Sequence, residues 1–160
     1  MANIKGCFSH NSDHWATPSK LYNAFKINGY LDPCPLHCGV DNLHNEYSNC
    51  GLFINPPFSE LDKWIDFAIN CAERGCIVWL LMPSRTDTKY FQRLCRYNVF
   101  IWFFIGRLHF NDSEKPAPFP AMCVFLQHDY PMCHFEFGSM ELFIQRFLDG
   151  DRCYSIERFL

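Results

Sequence analysis

Leu52-Phe53-Ile54-Asn55-Pro56-Pro57-Phe58-Ser59 is the stretch on which the reading of this chain turns. Three apolar residues make a short buried strand. Two prolines end it, because each locks φ and neither offers a ladder N–H. Ser59 then presents an N-cap hydroxyl, with Asp62 three residues on as its expected capping partner. Leu61, Trp64, Ile65, Ala68, Cys71 and Ala72 follow at helical spacing, and Gly75 stops the run. The unit is strand, rigid turn, helix. The turn itself has two readings. It is a proline-terminated strand with one core Phe, or it gathers an amide, a fixed backbone carbonyl and an aromatic ring at a strand end for work on a ligand.

The same alternation continues in both directions. Towards the N-terminus, residues 1–14 are a polar lead-in. Thr17 is placed as an N-cap and Pro18 as the first helical residue of a helix over 19–28 that Gly29 ends. Tyr30-Leu31-Asp32 reads as a short strand closed by Pro33, and 34–50 as a turn-rich loop. Towards the C-terminus, 76–82 is a continuous apolar run, which predicts a strand buried on both faces. Thr86 is placed to cap a third helix reaching about Tyr97. A buried strand over 99–105 precedes a polar excursion over 106–120. The strands 122–126 and 134–137 are expected to pair antiparallel. Ser139 caps a last helix that Gly150 ends, and 151–160 is a tail.

This order predicts an α/β fold: a single domain over 1–160 with a mostly parallel twisted sheet, helices on both faces and an antiparallel C-terminal edge. In such sheets ligands bind beyond the carboxyl ends of the strands. Asp32, Asn55 and Pro83 all stand at such ends, so the three are expected to converge on one crevice.

Composition supports a globular chain. Of 160 residues, 49% are hydrophobic and 18% aromatic, so a core is within reach and disorder is not expected. No apolar run is long enough to span a bilayer, and no signal-type h-region stands at the N-terminus. The expectation is a soluble, cytoplasmic protein with no membrane partner. Net charge is −3, which does not advertise a nucleic-acid binder. The distribution is uneven, however. Residues 85–107 carry five basic side chains against one acid, Asp87.

Ten cysteines are scattered, several inside apolar patterns, which fits reduced thiols better than a disulfide framework. Cys34, His37, Cys38, His44 and Cys50 lie close in sequence. Their spacing is not a clean paired-knuckle pattern, so plain thiols are favoured, with Cys34, Cys38, His44 and Cys50 as the set a zinc ion would take.

Three motifs now stand in order: Trp15-Ala16-Thr17-Pro18, Leu31-Asp32-Pro33-Cys34-Pro35 and Asn55-Pro56-Pro57-Phe58. They are followed by Leu80-Leu81-Met82-Pro83-Ser84-Arg85-Thr86-Asp87-Thr88 and Gly106-Arg107-Leu108-His109-Phe110. From about Asn11 to Leu126 the chain resembles the phage-type, Dam-like DNA N6-adenine methyltransferase family. The resemblance implies a Rossmann-like class I fold, S-adenosylmethionine as methyl donor and double-stranded DNA as partner. It further implies a bacterial host cytoplasm, bacteriophage or prophage origin and a place in restriction-modification or regulation. Carried over by position, Thr17, Pro18 and Asp32, with Trp15 and Asn55, would line the cofactor. Asn55, Pro56, Pro57 and Phe58 would hold the adenine. No glycine-rich loop follows Asp32, a departure from larger methyltransferases that the phage-type family shares. Asp41 or Glu46 is the candidate for the ribose hydroxyls.

The chemistry of the residues agrees with that expectation. An aromatic amino nitrogen is a weak nucleophile because its lone pair is delocalised. The Asn55 side-chain carbonyl and the Pro56 backbone carbonyl would accept its two N–H groups and favour a pyramidal nitrogen. Catalysis is then positioning and electrostatics. The base must leave the duplex to reach such a pocket, and Phe58 is its stacking platform or else a core ring. Arg85, Lys89, Arg93 and Arg96 follow one another at spacings of four, four and three residues, as a phosphate-binding stripe or a solvated helix face. Arg107 and His109 lie in the 106–120 excursion, near ligand or in a structural turn. Trp15 covers the cofactor or staples the first helix. Two rivals stand beside the DNA enzyme: a methyltransferase of the same chemistry acting on RNA bases or protein glutamine, and a degenerate DNA-binding or interaction protein.

Overall fold

The computed structural model describes residues 15–36 and 42–148. The lead-in, Asn11, His37, Cys38, Asp41, Gly150 and the tail lie outside the described residues.

Among the described residues, helices and strands alternate as expected: α1 (Ser19–Ile27), β1 (Gly51–Ile54), α2 (Leu61–Glu73), β2 (Ile77–Pro83), α3 (Lys89–Arg96), β3 (Phe100–Phe104), β4 (Ala121–Leu126), β5 (His134–Gly138) and α4 (Met140–Phe147). They form an α/β fold on one open sheet of order β1-β2-β4-β3-β5. β1 and β2 are parallel, with Ile54 opposite Leu80. Beyond β1, the stretch around Leu31 adds a single parallel bridge to Leu52 rather than a full strand.

The sheet is mixed in a way the pattern of apolar runs does not reveal. β4 and β5 do not pair with each other. β4 inserts antiparallel between β2 and β3, and β5 lies parallel to β3 at the far edge. The antiparallel strand is therefore interior. Its six residues are all buried, as a strand flanked on both sides and covered on both faces must be.

Alternate side chains feed two cores. Phe53, Trp79, Phe100, Trp102, Cys123 and Phe125 point to the α1 and α4 side, where they meet Leu21, Phe25, Phe143 and Phe147. Leu52, Ile54, Val78, Leu80, Ile101 and Val124 point to α2 and α3. The first core is largely aromatic: Phe25 stacks on Phe53 at 4.1 Å, and the Trp79 ring meets Phe125 at 5.0 Å and Phe143 at 5.2 Å. Among the described residues no helix is long and apolar enough to cross a membrane.

Gly138 shows how closely this core is packed. A Cβ there would stand 1.9 Å from Cζ2 of Trp102, an indole that is fully buried. Gly138→Ala is expected to cost about 1–3 kcal/mol through overpacking, read as a fall in the midpoint of urea unfolding. An unchanged midpoint would show that the indole has room to move.

Three helix starts differ from expectation. Ser59 falls within a 3-10 turn over Phe58–Glu60, and the residue before α2, Glu60, makes no side-chain capping bond. Thr88, not Thr86, caps α3 by accepting from the Phe91 N–H. Thr17 is not the cap of α1, whose boundary residue is Pro18. Ser139 does cap α4, through Leu142 N–H at 3.1 Å.

Candidate active site

Parallel strands β1 and the Leu31 bridge end side by side, which brings Asn55 and Asp32 together. Both line a crevice of about 330 Å³ with Ala16, Thr17, Ser19, Tyr22, Cys34, Pro35 and Leu36. That volume falls within the ~300–1,000 Å³ of small-molecule sites. Pro83, the third strand end expected there, is not among the lining residues. It is buried at the end of β2, paired with Ala121.

Asn55 is held by its amino group alone. Nδ2 donates to the Trp15 carbonyl at 2.6 Å and to Thr17 Oγ1 at 3.0 Å. A carbonyl only accepts, so the NH₂ must face Trp15 and the oxygen the other way. That oxygen, Oδ1, is buried and has no hydrogen-bond partner among the described residues. An unpartnered buried acceptor costs about 1–3 kcal/mol, a standing cost that a visiting N–H donor would relieve.

The hydroxyl that the sequence assigns to a helix cap is thus spent on Asn55. The cap of α1 is provided from far along the chain instead. Asp112 Oδ1 accepts from the Ser19 N–H at 2.9 Å. Next to it, Asn111 clasps Ala16 twice, its Oδ1 accepting from Ala16 N–H at 2.7 Å and its own N–H donating to Ala16 carbonyl at 2.8 Å. Asn111 and Asp112 both adopt positive φ, 58° and 49°, a conformation that Asn and Asp tolerate better than most residues. The 106–120 excursion therefore buttresses the Thr17 turn. Sequence reading missed Asn111, Asp112 and Tyr22. The Asn-Asp pair was the available signal, a turn dipeptide with local hydrogen-bonding capacity.

Asp32 is the one carboxylate among the lining residues, and none of them is basic. Burial pushes its pKa up to about 6, against the lowering effect of the Cys34 N–H that its Oδ1 accepts at 2.8 Å. A desolvated carboxylate with no countercharge among the described lining residues suits a cationic or hydroxyl-rich ligand and disfavours a phosphate-rich one.

Trp15 and Phe58 sit on the Asn55 side in an aromatic cluster. The Trp15 ring meets Phe119 edge-on at 5.1 Å and Phe110 at 5.8 Å. Phe58, partly exposed, meets Phe119 at 5.3 Å and Phe110 at 6.3 Å. Pro56 is buried beneath the turn, and Pro57 is partly exposed. Pro18, which begins the α1 approach, is buried. The Asn-Pro-Pro-Phe turn thus stands against the cluster from the 106–120 excursion.

The basic residues do not gather at this crevice. Arg85 pairs with Asp87 at 3.0 Å. Arg93 lies between Asp62 and Asp66, 3.4 Å from each, and ties α3 to α2. Lys89 is exposed at the start of α3. Arg107 donates to the Ala117 carbonyl at 3.5 Å, and His109 Nδ1 lies 2.8 Å from the Ser113 carbonyl. Glu46, one ribose candidate, pairs with Arg74 at 3.6 Å and is not in the crevice lining.

Of the four residues named for zinc, Cys34, His44 and Cys50 are described and Cys38 lies outside the described residues. Cys50 Sγ lies 3.7 Å from Cys76 Sγ, and His44 belongs to a separate 3-10 turn. Among the described residues no group of three or more His, Cys, Asp and Glu is placed to hold a metal ion.

Fold and site together define an open α/β sheet with a crevice, lined by the single carboxylate Asp32, where β1 and the Leu31 bridge end. Compared with known proteins, the chain matches no protein-family model and no curated sequence.

Proposed function

We propose that this chain is an S-adenosylmethionine-dependent methyltransferase that acts on the N6 amino group of adenine in DNA. The observation that carries the reading is the Asn55 amide, anchored through its nitrogen and left with a buried acceptor that meets no donor among the described residues. The mixed α/β sheet is compatible with the Rossmann-like methyltransferase architecture.

The residues present fit the donor. Asp32 would hold its ammonium or ribose hydroxyls, and Thr17, Tyr22 and Leu36 would wall the crevice. Bound there, S-adenosylmethionine supplies an electrophilic methyl on a sulfonium. Asn55 Oδ1 accepts an N–H of the target amine, fixing the nitrogen and drawing its lone pair out of the ring plane. Phe58 offers a partly exposed ring for the extruded base. No side chain need take the proton beforehand, because it leaves a nitrogen already made cationic.

A second reading is favoured by the basic residues. Arg85 and Arg93 are engaged by Asp87, Asp62 and Asp66, which weakens the expected phosphate stripe. An RNA base or a protein glutamine amide presents the same planar nitrogen without a long duplex. Transfer of a labelled methyl group to duplex DNA, RNA and protein acceptors separates these. Label in N6-methyladenine of DNA is the expected result. Label in RNA or protein alone would move the substrate. No transfer, with no calorimetric binding of S-adenosylmethionine at millimolar ligand, would favour a degenerate binding protein.

A further inference from the structure

Among the described residues, no strand pairs with β5 on the side away from β3, at the sheet edge opposite the crevice. In the parallel β3–β5 ladder, the His134 N–H donates to the Val99 carbonyl, and the Ile105 N–H to the Gly138 carbonyl. Residues 134, 136 and 138 therefore turn their backbone groups towards β3. By the alternation of the ladder, Phe135 and Phe137 turn theirs outward. Their side chains share one face. Phe137 stacks on Phe103 at 5.2 Å, and Phe135 meets Phe103 edge-on at 6.2 Å.

That face lacks a cover among the described residues. Phe135 is 58% exposed, Phe137 61% and Ile105, next along β3, 68%. Taking each side chain at about 200 Å², these three present an apolar patch of roughly 350 Å². β5 also lacks the features that protect an edge, since it carries neither Lys nor Pro. Its charged group, Glu136, is turned to the other face and held by a bidentate pair with Arg146 of α4.

We propose that β5 pairs antiparallel with β5 of a second copy about a twofold axis through Glu136, joining two sheets into one. In that register Phe135 stands opposite Phe137 of the partner, each exchanging both outward hydrogen bonds, and the four rings cover one another. The like-charged Glu136 side chains meet at the axis already neutralised by their own Arg146. A copy is the fitting occupant because the strand is complementary to itself: its outward donors, acceptors and rings are the same set that it needs to meet. The interface is at the low end of the size range, below about 1,200 Å² in total, where weak and transient associations lie. β5 lies at the edge away from β1, so pairing leaves the crevice open. The inference does not rest on the proposed reaction.

Sedimentation tests it with the whole chain up to about 100 μM, with circular dichroism to check folding. The wild type should sediment as a concentration-dependent dimer, and Phe135→Lys/Phe137→Lys as a folded monomer. Phe135→Lys/Phe137→Glu should associate more strongly than the double-lysine variant though more weakly than the wild type, because the introduced lysine of one copy then faces the introduced glutamate of the other. A wild type that stays monomeric overturns the proposal and leaves the edge to a strand of another protein. A dimer that survives the double-lysine change overturns it too, as does a lysine–glutamate variant that associates no more strongly than the double-lysine one.

Discussion

Asn55→Ala is expected to lower methyl transfer by a factor of about 10²–10³ while leaving S-adenosylmethionine binding within a few-fold of the wild type. The factor is what loss of one preorganised polar contact to the reacting group costs. The binding expectation follows because Asp32 and the other crevice walls stay in place. Some stability should also go, about 1 kcal/mol, since the Trp15 carbonyl and Thr17 hydroxyl lose their shared donor. Asn55→Asp is the informative companion. It keeps an oxygen at the acceptor position but removes both N–H groups, so a carboxylate would face the Trp15 carbonyl. It should transfer no better than the Ala variant and should unfold at lower urea. Initial rates and calorimetry on the two variants decide the matter. A normal transfer rate in Asn55→Ala would remove the catalytic role from the turn.

Asp32→Asn is expected to weaken S-adenosylmethionine binding about 10- to 100-fold at pH 8 while making the ligand-free protein more stable at that pH. The binding loss is that of one charge-assisted contact. The stability gain follows from the raised pKa. A carboxyl with a pKa of about 6 when folded and near 3.8 when unfolded favours folding in its protonated form. That contribution is complete below about pH 4 and is lost as pH rises through 6. At pH 8 the folded protein carries a buried charge that asparagine lacks, so its melting temperature should rise by a few degrees. At pH 4 the two proteins should melt together. Binding has the opposite dependence. Wild-type affinity should fall about tenfold for each pH unit below 6, and the variant's affinity should stay flat over that range. Calorimetric titration and melting curves at pH 4, 6 and 8 test both halves. A flat pH profile for wild-type binding would mean that the Asp32 carboxylate does not touch the ligand.

Both variants show a site that departs from the stability optimum. Among the described residues Asn55 Oδ1 meets no donor and Asp32 has no basic neighbour in the crevice lining, and each is the kind of local conflict found where a ligand completes the structure.

The linear order of residues determined the elements and their sides. Runs of apolar residues at 76–82 and 122–126 are buried on both faces because their hydrophobicity does not alternate. The spacing in α2 assigned Trp64, Ile65 and Ala68 to one core before any contact was known. Asn55 and Asp32 were also legible, since a polar residue directly after an apolar strand has nowhere to go but the sheet's end. The packing of side chains across large separations was not legible. Strand order depends on which apolar faces meet best, so nothing in 121–126 says that β4 inserts between β2 and β3 in reverse. A cap can come from any residue that reaches the orphan N–H groups, so Asp112 displaced Thr17 from that role, and only the folded chain shows Thr17 turning to Asn55. Likewise a tally of basic residues cannot tell a phosphate contact from an internal tie such as Arg93 with Asp62 and Asp66. Short-range pattern reflects the burial each segment requires; partner choice is settled by three-dimensional fit, which no local pattern encodes.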